Sequence, residues 1–375
     1  MLIAMDAQHQ LVNAATADRQ IEYYCPECVQ PVRLKRGAVI VPHFAHVHAT
    51  DCDAFSEGET TEHLRGKQQL ATWFAASGYT VRLEAGLPEI HQRPDILVRR
   101  GTAQPLALEF QCSPLSVERL AARTQGYRQH GYQVLWLLGR PYQRQLHLNS
   151  KALKFLQYQQ RWGLFLLFLD TQSTSVRLLH HVLTLDTEPL TYQTIRLDTR
   201  SQSVLRFRQL APKINTPTLP DTHLRHYYQQ LMLARLRHQR GFDALQVACY
   251  QRGGTIVQLP TWTMPTVPQL PLLSVPYLVW HAHVFFALRQ QSGRLTGPQL
   301  EALIWAQLRP LLARRACLQA RGTLIQQLIT TMITMLSEQQ VINWQKTEWH
   351  VNSGQLRWRK HWFRNRCYRD RRNLW

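Results

Sequence analysis

A chain of 375 residues, 45% hydrophobic, can build two or three cores, and it holds no apolar run as long as a membrane helix requires. The opening "MLIAMDAQHQ" lacks the basic and apolar regions of a signal peptide, and the seven scattered cysteines exclude a disulfide framework, so a cytoplasmic protein without a membrane span is expected. Forty-four Lys and Arg against 24 Asp and Glu give a net charge of +20, which favours a polyanionic partner through counterion release.

Residues 1–57 read as a small module. Cys25 and Cys28, in "CPEC", precede His43 and His46, in "HFAH". A C-x2-C pair followed by a His pair suits tetrahedral Zn²⁺. Between them "VQPVRLKRGAVIVP" predicts a β-hairpin turning at Arg36-Gly37. A zinc-ribbon-like unit of this size needs a staple, because its core is too small to stand alone. Four protein ligands leave no open position, so such a metal is structural. His48 and Cys52 lie near enough in sequence to replace a ligand. A metal-free β-unit with its His rings stacked on Phe44 and Tyr24 is the alternative. Arg33, Lys35 and Arg36 on the hairpin suit phosphate contact.

Residues 58–200 predict an α/β core. "GETTEHLRGKQQLATWFAASG" is a helix over 58–78, with Ser56 and Glu59 in a capping-box pattern and Gly78 as its stop. "YTVRLEAGL", "RPDILVRR" and "PLALEFQCS" are strands, a helix follows from a Ser113 cap to Gly131, and "YQVLWLLG" is a fourth strand. A helix after residue 151 and three further strands up to residue 200 form an appendage. Residues 201–375 predict a mainly helical, basic domain. Helical periodicity marks "THLRHYYQQLMLARLRHQR" and residues 297–340, and a Pro-rich stretch between them is loop or extended chain.

The second and third strands form a hairpin whose turn near 101–104 sets Asp95 and Glu109 at equal heights. Two adjacent carboxylates repel unless a cation or proton is shared. Mg²⁺ or Mn²⁺ would take oxygens from Asp95 and Glu109 and the backbone carbonyl of Phe110. Such an ion acidifies water and neutralises charge at a phosphate. The alternative is two solvent-facing acids paired with Arg. Glu59, Glu62, His63 and Lys67 share one face of the preceding helix, and acids and bases beside a two-acid sheet make an economical metal-dependent nuclease site.

The order helix, strand, "PD" strand, "EFQ" strand, helix, strand resembles the PD-(D/E)xK, restriction-endonuclease-like nuclease superfamily, with Gln111 where that superfamily usually has Lys. Lys67 could supply the missing charge. More narrowly, "YYCPECVQPVRLKRG", "PHFAH", "TEHLRGK", "RPDILV", "LEFQCSPLS" and "RTQGYRQHGYQVLWLLG" are similar, in order over about residues 20–140, to the competence protein CoiA family. The resemblance implies a restriction-endonuclease-like αβββαβ core and a Mg²⁺- or Mn²⁺-dependent deoxyribonuclease. It would act on internalised or branched recombination-intermediate DNA during natural competence and transformation, beside RecA-type recombination machinery. Asp95, Glu109 and Glu62 would serve the metal, and Gln111 and Lys67 the water or phosphate. Arg123 and Tyr127 match the family's pattern on the second helix as phosphate contacts, and Arg93, His91 and Gln133 are further candidates. The rival reading is a non-catalytic single-stranded DNA-binding adaptor on a decayed nuclease fold that assists recombinase loading.

The tail "LRWRKHWFRNRCYRDRRNLW" carries eight Lys/Arg against one Asp. Arg357, Arg359 and Lys360 interleaved with Trp358 and Trp362 suit single-strand binding, charge for the backbone and rings for bases. Docking of the aromatic rings on the helical domain is the alternative. The long C-terminal helices also offer a surface for a homodimer.

Overall fold

The computed structural model describes residues 1–38, 40–48, 52, 60–186, 189–213, 222–238, 240–291 and 293–360. Among these residues, mixed α and β elements form three sheets. The N-terminal sheet runs β2 (Leu11–Asn13), β1 (Ile3–Met5), β3 (Tyr23–Tyr24), β4 (Pro31–Lys35), β5 (His43–His46), antiparallel throughout. Its core is small: Ala4, Tyr23, Val32, Phe44 and the buried thiols Cys25 and Cys52. The β4–β5 pairing sets Lys35 against His43 and Val32 against His46, so the hairpin is present but its connection spans residues 36–42 rather than a tight turn at Arg36-Gly37.

The second sheet has the order β13–β12–β11–β9–β8–β7–β6, with β10 on β11. Helix α1 (Thr61–Ala76) leads into β6 (Thr80–Leu83), β7 (Ile96–Arg99) and β8 (Leu106–Gln111); α2 (Val117–Gln129) then crosses over to β9 (Gln133–Leu138), parallel to β8. This is the expected sequence of elements. The helix starts differ from expectation. Thr60 caps α1, its side chain accepting from the His63 amide at 3.2 Å, while Ser56 and Glu59 lie outside the described residues. Ser116 caps α2; Ser113 instead accepts from the side chain of Gln111. The helix expected after residue 151 is a 3₁₀ segment, Lys151–Phe155, followed by β10 (Gln157–Gln159). Gln157 bonds the main chain of Trp136 in both directions and fills the space between β9 and β11. Strands β11 (Gly163–Asp170), β12 (Ser175–Leu183) and β13 (Thr191–Asp198) complete the sheet.

Period-two alternation separates the two faces of this sheet. Ile96, Val98, Leu108 and Phe110 bury against Leu70, Trp73 and Phe74 of α1. Leu97 and Ala107 face the other way, in a core with Leu120 and Tyr127 of α2. Val204 and Phe207 of the short α3 (Val204–Arg208) join the first core, while the second continues into the C-terminal helices α4 (His223–Leu236), α5 (Arg240–Tyr250), α6 (Tyr277–Arg289), α7 (Gly297–Leu308) and α8 (Arg321–Glu338). The third sheet, β14 (Arg294–Leu295), β16 (Glu348–Val351), β15 (Ile342–Gln345), lies beside them. Helix α6 follows the Pro-rich stretch and escapes a periodicity search because it is apolar nearly all round. Buried Asp186, after β12, accepts the first two amides of α6, from Tyr277 and Leu278, and the hydroxyl of Tyr227. Among the described residues no helix is long and apolar enough to cross a membrane.

Candidate active site and metal cluster

The β7–β8 register pairs Ile96 with Leu108, Leu97 with Ala107 and Val98 with Leu106. One further step sets Asp95 opposite Glu109. The β6–β7 register pairs Leu83 with Ile96, and one further step the Glu84 amide donates to the Asp95 carbonyl at 2.9 Å. Glu84, Asp95 and Glu109 therefore occupy one row across three strands. Glu84 and Glu109 are 5% and 2% exposed, and the Asp95 side chain 15%. Unpaired carboxylates so buried would be very costly, and each is matched by a cation.

Asp95 Oδ2 accepts from the Phe110 amide at 2.8 Å and lies 3.1 Å from His63 Nε2. Lys67 Nζ is 2.5 Å from Glu84 Oε1 and 3.9 Å from Asp95 Oδ1. Arg93 donates to Glu84 Oε2 at 2.9 Å. Glu109 Oε1 accepts from Arg123 Nη2 at 2.6 Å and from the Tyr127 hydroxyl at 2.5 Å. His63 and Lys67 reach the row from α1 because Gly66 lets that helix close on the sheet: a Cβ there would lie 2.1 Å from the Phe110 ring. Arg123 and Tyr127, four apart on α2, reach it from elsewhere.

These surroundings push the two acids apart. Burial works against charge on Asp95, but His63, Lys67 and the Phe110 amide together hold its carboxyl down at about 2. Burial pushes Glu109 up to about 7, Arg123 pulling it down and the neighbouring Asp95 pushing it further up. One carboxylate is thus firmly ionised while the other exchanges its proton near neutrality.

The other expected site residues fall in several places. Glu62 is half-buried at the same end of the sheet, where its Oε1 accepts from the Arg140 amide at 2.8 Å. Gln111 is 5% exposed and its amide donates to the carbonyl and hydroxyl of Ser113, at 2.9 and 3.0 Å. Tyr127 is wholly buried and holds Glu109, so the expectation of a phosphate contact gives way to a supporting role. The Arg123 side chain keeps 24% exposure. Sequence reasoning missed Glu84 and the direct His63–Asp95 contact. The alternation of "TVRLE" groups Glu84 with exposed Thr80 and Arg82, so the pattern gave no sign of its burial.

The second cluster is in the N-terminal sheet. One ligand atom each from Cys25, Cys28, His46 and Cys52 lies within 4.8 Å of the others. Cys25 Sγ and Cys52 Sγ are 3.9 Å apart, and Cys28 Sγ is 3.2 Å from His46 Nε2. A tetrahedron with Zn–S bonds of about 2.3 Å has S···S edges of about 3.8 Å. The set could therefore hold a metal ion such as zinc. Burial is the main force pushing the Cys25 thiol up and the Cys52 thiol up to about 12, a cost that a bound cation would remove. His43 is not a member. It and His46 lie three apart on β5 and so on opposite faces, and His43 Nδ1 is 2.8 Å from the Val41 carbonyl. Cys52 takes the place expected for His43.

Basic residues mark the same sheet. Arg33 and Lys35 are exposed on one face of β4 and, with Arg19 and Tyr24, line a groove. Arg36 also lines it, but its guanidinium is committed to the carbonyls of Ala14, Ala15 and Ala17. At the other end of the chain Arg357 and Lys360 are exposed, while Arg359 bonds the Tyr228 hydroxyl. Trp358 packs edge-on against Phe285, with ring centroids 5.2 Å apart. Trp362 lies outside the described residues.

Two family models match the chain: "Competence protein CoiA, N-terminal domain" over residues 7–55 and "Competence protein CoiA, nuclease-like domain" over residues 59–211. "Competence protein CoiA" of Bacillus subtilis (strain 168) is 34% identical over 117 residues, 31% of this chain and 31% of that protein. "Druantia protein DruB" of Escherichia coli (strain UMEA 4076-1) is 43% identical over 53 residues, 13% of this chain and 10% of that protein. The matched segments thus span under a third of the first relative and a tenth of the second. No solved structure matches.

Proposed function

Because the chain belongs to the competence protein CoiA family, we propose that it is a metal-dependent DNA endonuclease with a restriction-endonuclease-like core, acting on internalised or branched DNA during natural transformation. The observation that carries this reading is the pairing of Asp95 with Glu109 on adjacent strands at one end of the sheet, each with a cationic side chain beside it. A purely binding surface gains nothing from buried acids that repel phosphate.

The donor set fits Mg²⁺ or Mn²⁺. It is all oxygen, and the Phe110 carbonyl leaves its strand on the same side as the amide bonded to Asp95. A divalent ion bound there would supply charge neutralisation at phosphate and a more acidic water. The chain's own residues do the rest. His63 and the Phe110 amide fix Asp95 in one orientation. Arg123 and Tyr127 hold Glu109 in place opposite Asp95. The exposed part of Arg123 contacts the phosphate. Lys67 supplies the positive charge that Gln111 lacks, beside Asp95 rather than beside Glu109. Glu62 orients the Arg140 amide at the rim. In the N-terminal sheet, Cys25, Cys28, His46 and Cys52 would hold a structural Zn²⁺, and Arg33 and Lys35 grip the DNA backbone with Arg357 and Lys360. RecA-type recombination proteins would act on the same DNA, and homodimerisation would bring two sites to two strands.

A specific observation favours the adaptor reading: Gln111 is turned to Ser113, and Glu109 Oε1 already accepts two strong donors. The two readings part in one assay. Purified protein is incubated with labelled single-stranded, duplex, flap and four-way DNA, with Mg²⁺, Mn²⁺ or EDTA, beside Asp95→Ala and Glu109→Ala. Metal-dependent cutting lost in both variants, with DNA binding kept, supports the nuclease. Binding by all three proteins without cutting of any substrate supports the adaptor.

A further inference from the structure

Glu84 is the third acid of the row, and its bonds run in two directions. Toward the N-terminus, its Oε1 accepts from the Leu2 amide at 2.8 Å and its Oε2 from the Ile3 amide at 3.1 Å, the chain entering and forming β1. Toward the sheet end, the same carboxylate meets Lys67 Nζ at 2.5 Å and Arg93 Nη2 at 2.9 Å. Arg93 also donates to the Glu84 carbonyl at 2.8 Å and reaches the Ile3 carbonyl at 3.3 Å. The backbone of Glu84 has φ of 47°, the left-handed region a glutamate seldom adopts. Such a conformation persists where surrounding contacts over-determine it. Lys67, 1% exposed, is long and flexible, and its ammonium lies 2.5 Å from Glu84 Oε1 and 3.9 Å from Asp95 Oδ1.

We infer that Glu84 is a positioning residue of the Asp95 site, holding Lys67 at Asp95, and that the first strand of the N-terminal sheet is part of that site's framework. This rests on the nuclease reading for its effect on cutting, but not for the physical link itself. The N-terminal sheet is then more than a DNA grip: β1 orients Glu84, Glu84 orients Lys67, and Lys67 sets the field at Asp95.

The test uses the full chain in four forms: parent, Glu84→Gln, Lys67→Met and the double variant. Glu84→Asp replaces Glu84→Gln if the latter does not fold. Under single-turnover conditions each single variant is expected to slow cutting by about 10- to 100-fold, the scale of a small misplacement, with DNA affinity changed by less than about 2-fold. The double variant should be no slower than Lys67→Met alone, because the two act as one unit. Multiplied losses, or parental cutting by Glu84→Gln, would overturn the inference. Hydrogen exchange supplies a readout independent of cutting. The Leu2 and Ile3 amides should exchange about 10-fold faster in Glu84→Gln, and measurably faster in Lys67→Met, since local opening tracks the loss of a holding bond. Parental exchange in both variants would overturn the link. A parent that does not cut contradicts the nuclease reading, and exchange alone then decides the framework.

Discussion

At the N-terminal sheet four ligand atoms from β5 and the segments around it converge within 4.8 Å, while across the central sheet three carboxylates lie in a row with cations brought in from both helices and from Arg93. The first group offers three sulfurs and an imidazole, a set that could hold one ion such as zinc; were it to do so, four protein ligands would leave that ion no open position. The second is compensated but unequal, with Asp95 held at about 2 and Glu109 raised to about 7. Closed and complete sites build structure. Sites whose charges are balanced by movable side chains and split in protonation can exchange a ligand or a proton. The two centres are joined through Glu84, which is bonded to both the N-terminal strand and Lys67.

The comparison breaks most visibly at the cysteines. Cys52→Ser should lose about one equivalent of zinc, measured by elemental analysis, and destabilise the N-terminal sheet by more than about 3 kcal/mol, because in so small a unit metal binding is folding energy. His43→Ala should keep the zinc. Zinc retained in the first and lost in the second would restore the His pair that the strand geometry excludes. Next in size is Arg123→Met, which leaves Glu109 buried without its cation. By chemical denaturation at about pH 9, above the range in which Glu109 holds its proton, it should cost about 3 kcal/mol, as for breaking a buried pair. The cost should shrink in acid as Glu109 takes up a proton.

The pH dependence sharpens the contrast between the two acids. Glu109 is raised from 4.5 to about 7, so the folded chain binds its proton more tightly than the unfolded chain, and stability falls as pH rises through that window. Asp95 is lowered from 3.8 to about 2, so its contribution is present above 3.8 and is lost as pH falls through about 2. Between about pH 4.5 and 7 the parent should therefore lose stability relative to Glu109→Gln, while both share the Asp95 rise below 3.8; parallel curves between 4.5 and 7 would contradict the assignment. The smallest effect on stability belongs to Arg33→Ala and Lys35→Ala, within about 0.5 kcal/mol as for other exposed residues. Each should still weaken DNA binding, and each should reduce the slope of log affinity against log salt by about 1 if it contacts a phosphate.

Much of this was legible in the chain itself. The alternation in "RPDILV" and "LALEFQ", with one short turn between them, is enough to place Asp95 opposite Glu109, since an antiparallel register follows from hairpin length. The helix bearing Glu62, His63 and Lys67 showed its face in the same way. What stayed hidden has physical reasons. Cys52 was legible only as a possible replacement ligand, because it sits outside any strand or helix and no spacing ranks it first, whereas the neat spacing of His43 and His46 misleads because it falls on a strand and not a helix. Glu84 sits past the end of β6 in a left-handed conformation that no propensity signals. Tyr127 reads as a polar-tipped aromatic on a helix surface, and only the sheet beneath it shows that its hydroxyl is spent on Glu109. Helix α6 lacks a polar face because the C-terminal helices surround it.

The central claim is that Asp95 and Glu109 share one divalent ion distinct from the cysteine cluster. It is tested most directly by titrating Mn²⁺ into the zinc-loaded full chain without DNA and counting bound ions by electron paramagnetic resonance. The account predicts one Mn²⁺ site that disappears in Asp95→Asn and in Glu109→Gln and survives in His43→Ala. No Mn²⁺ site in the parent, or one that persists in both acid variants, would contradict it.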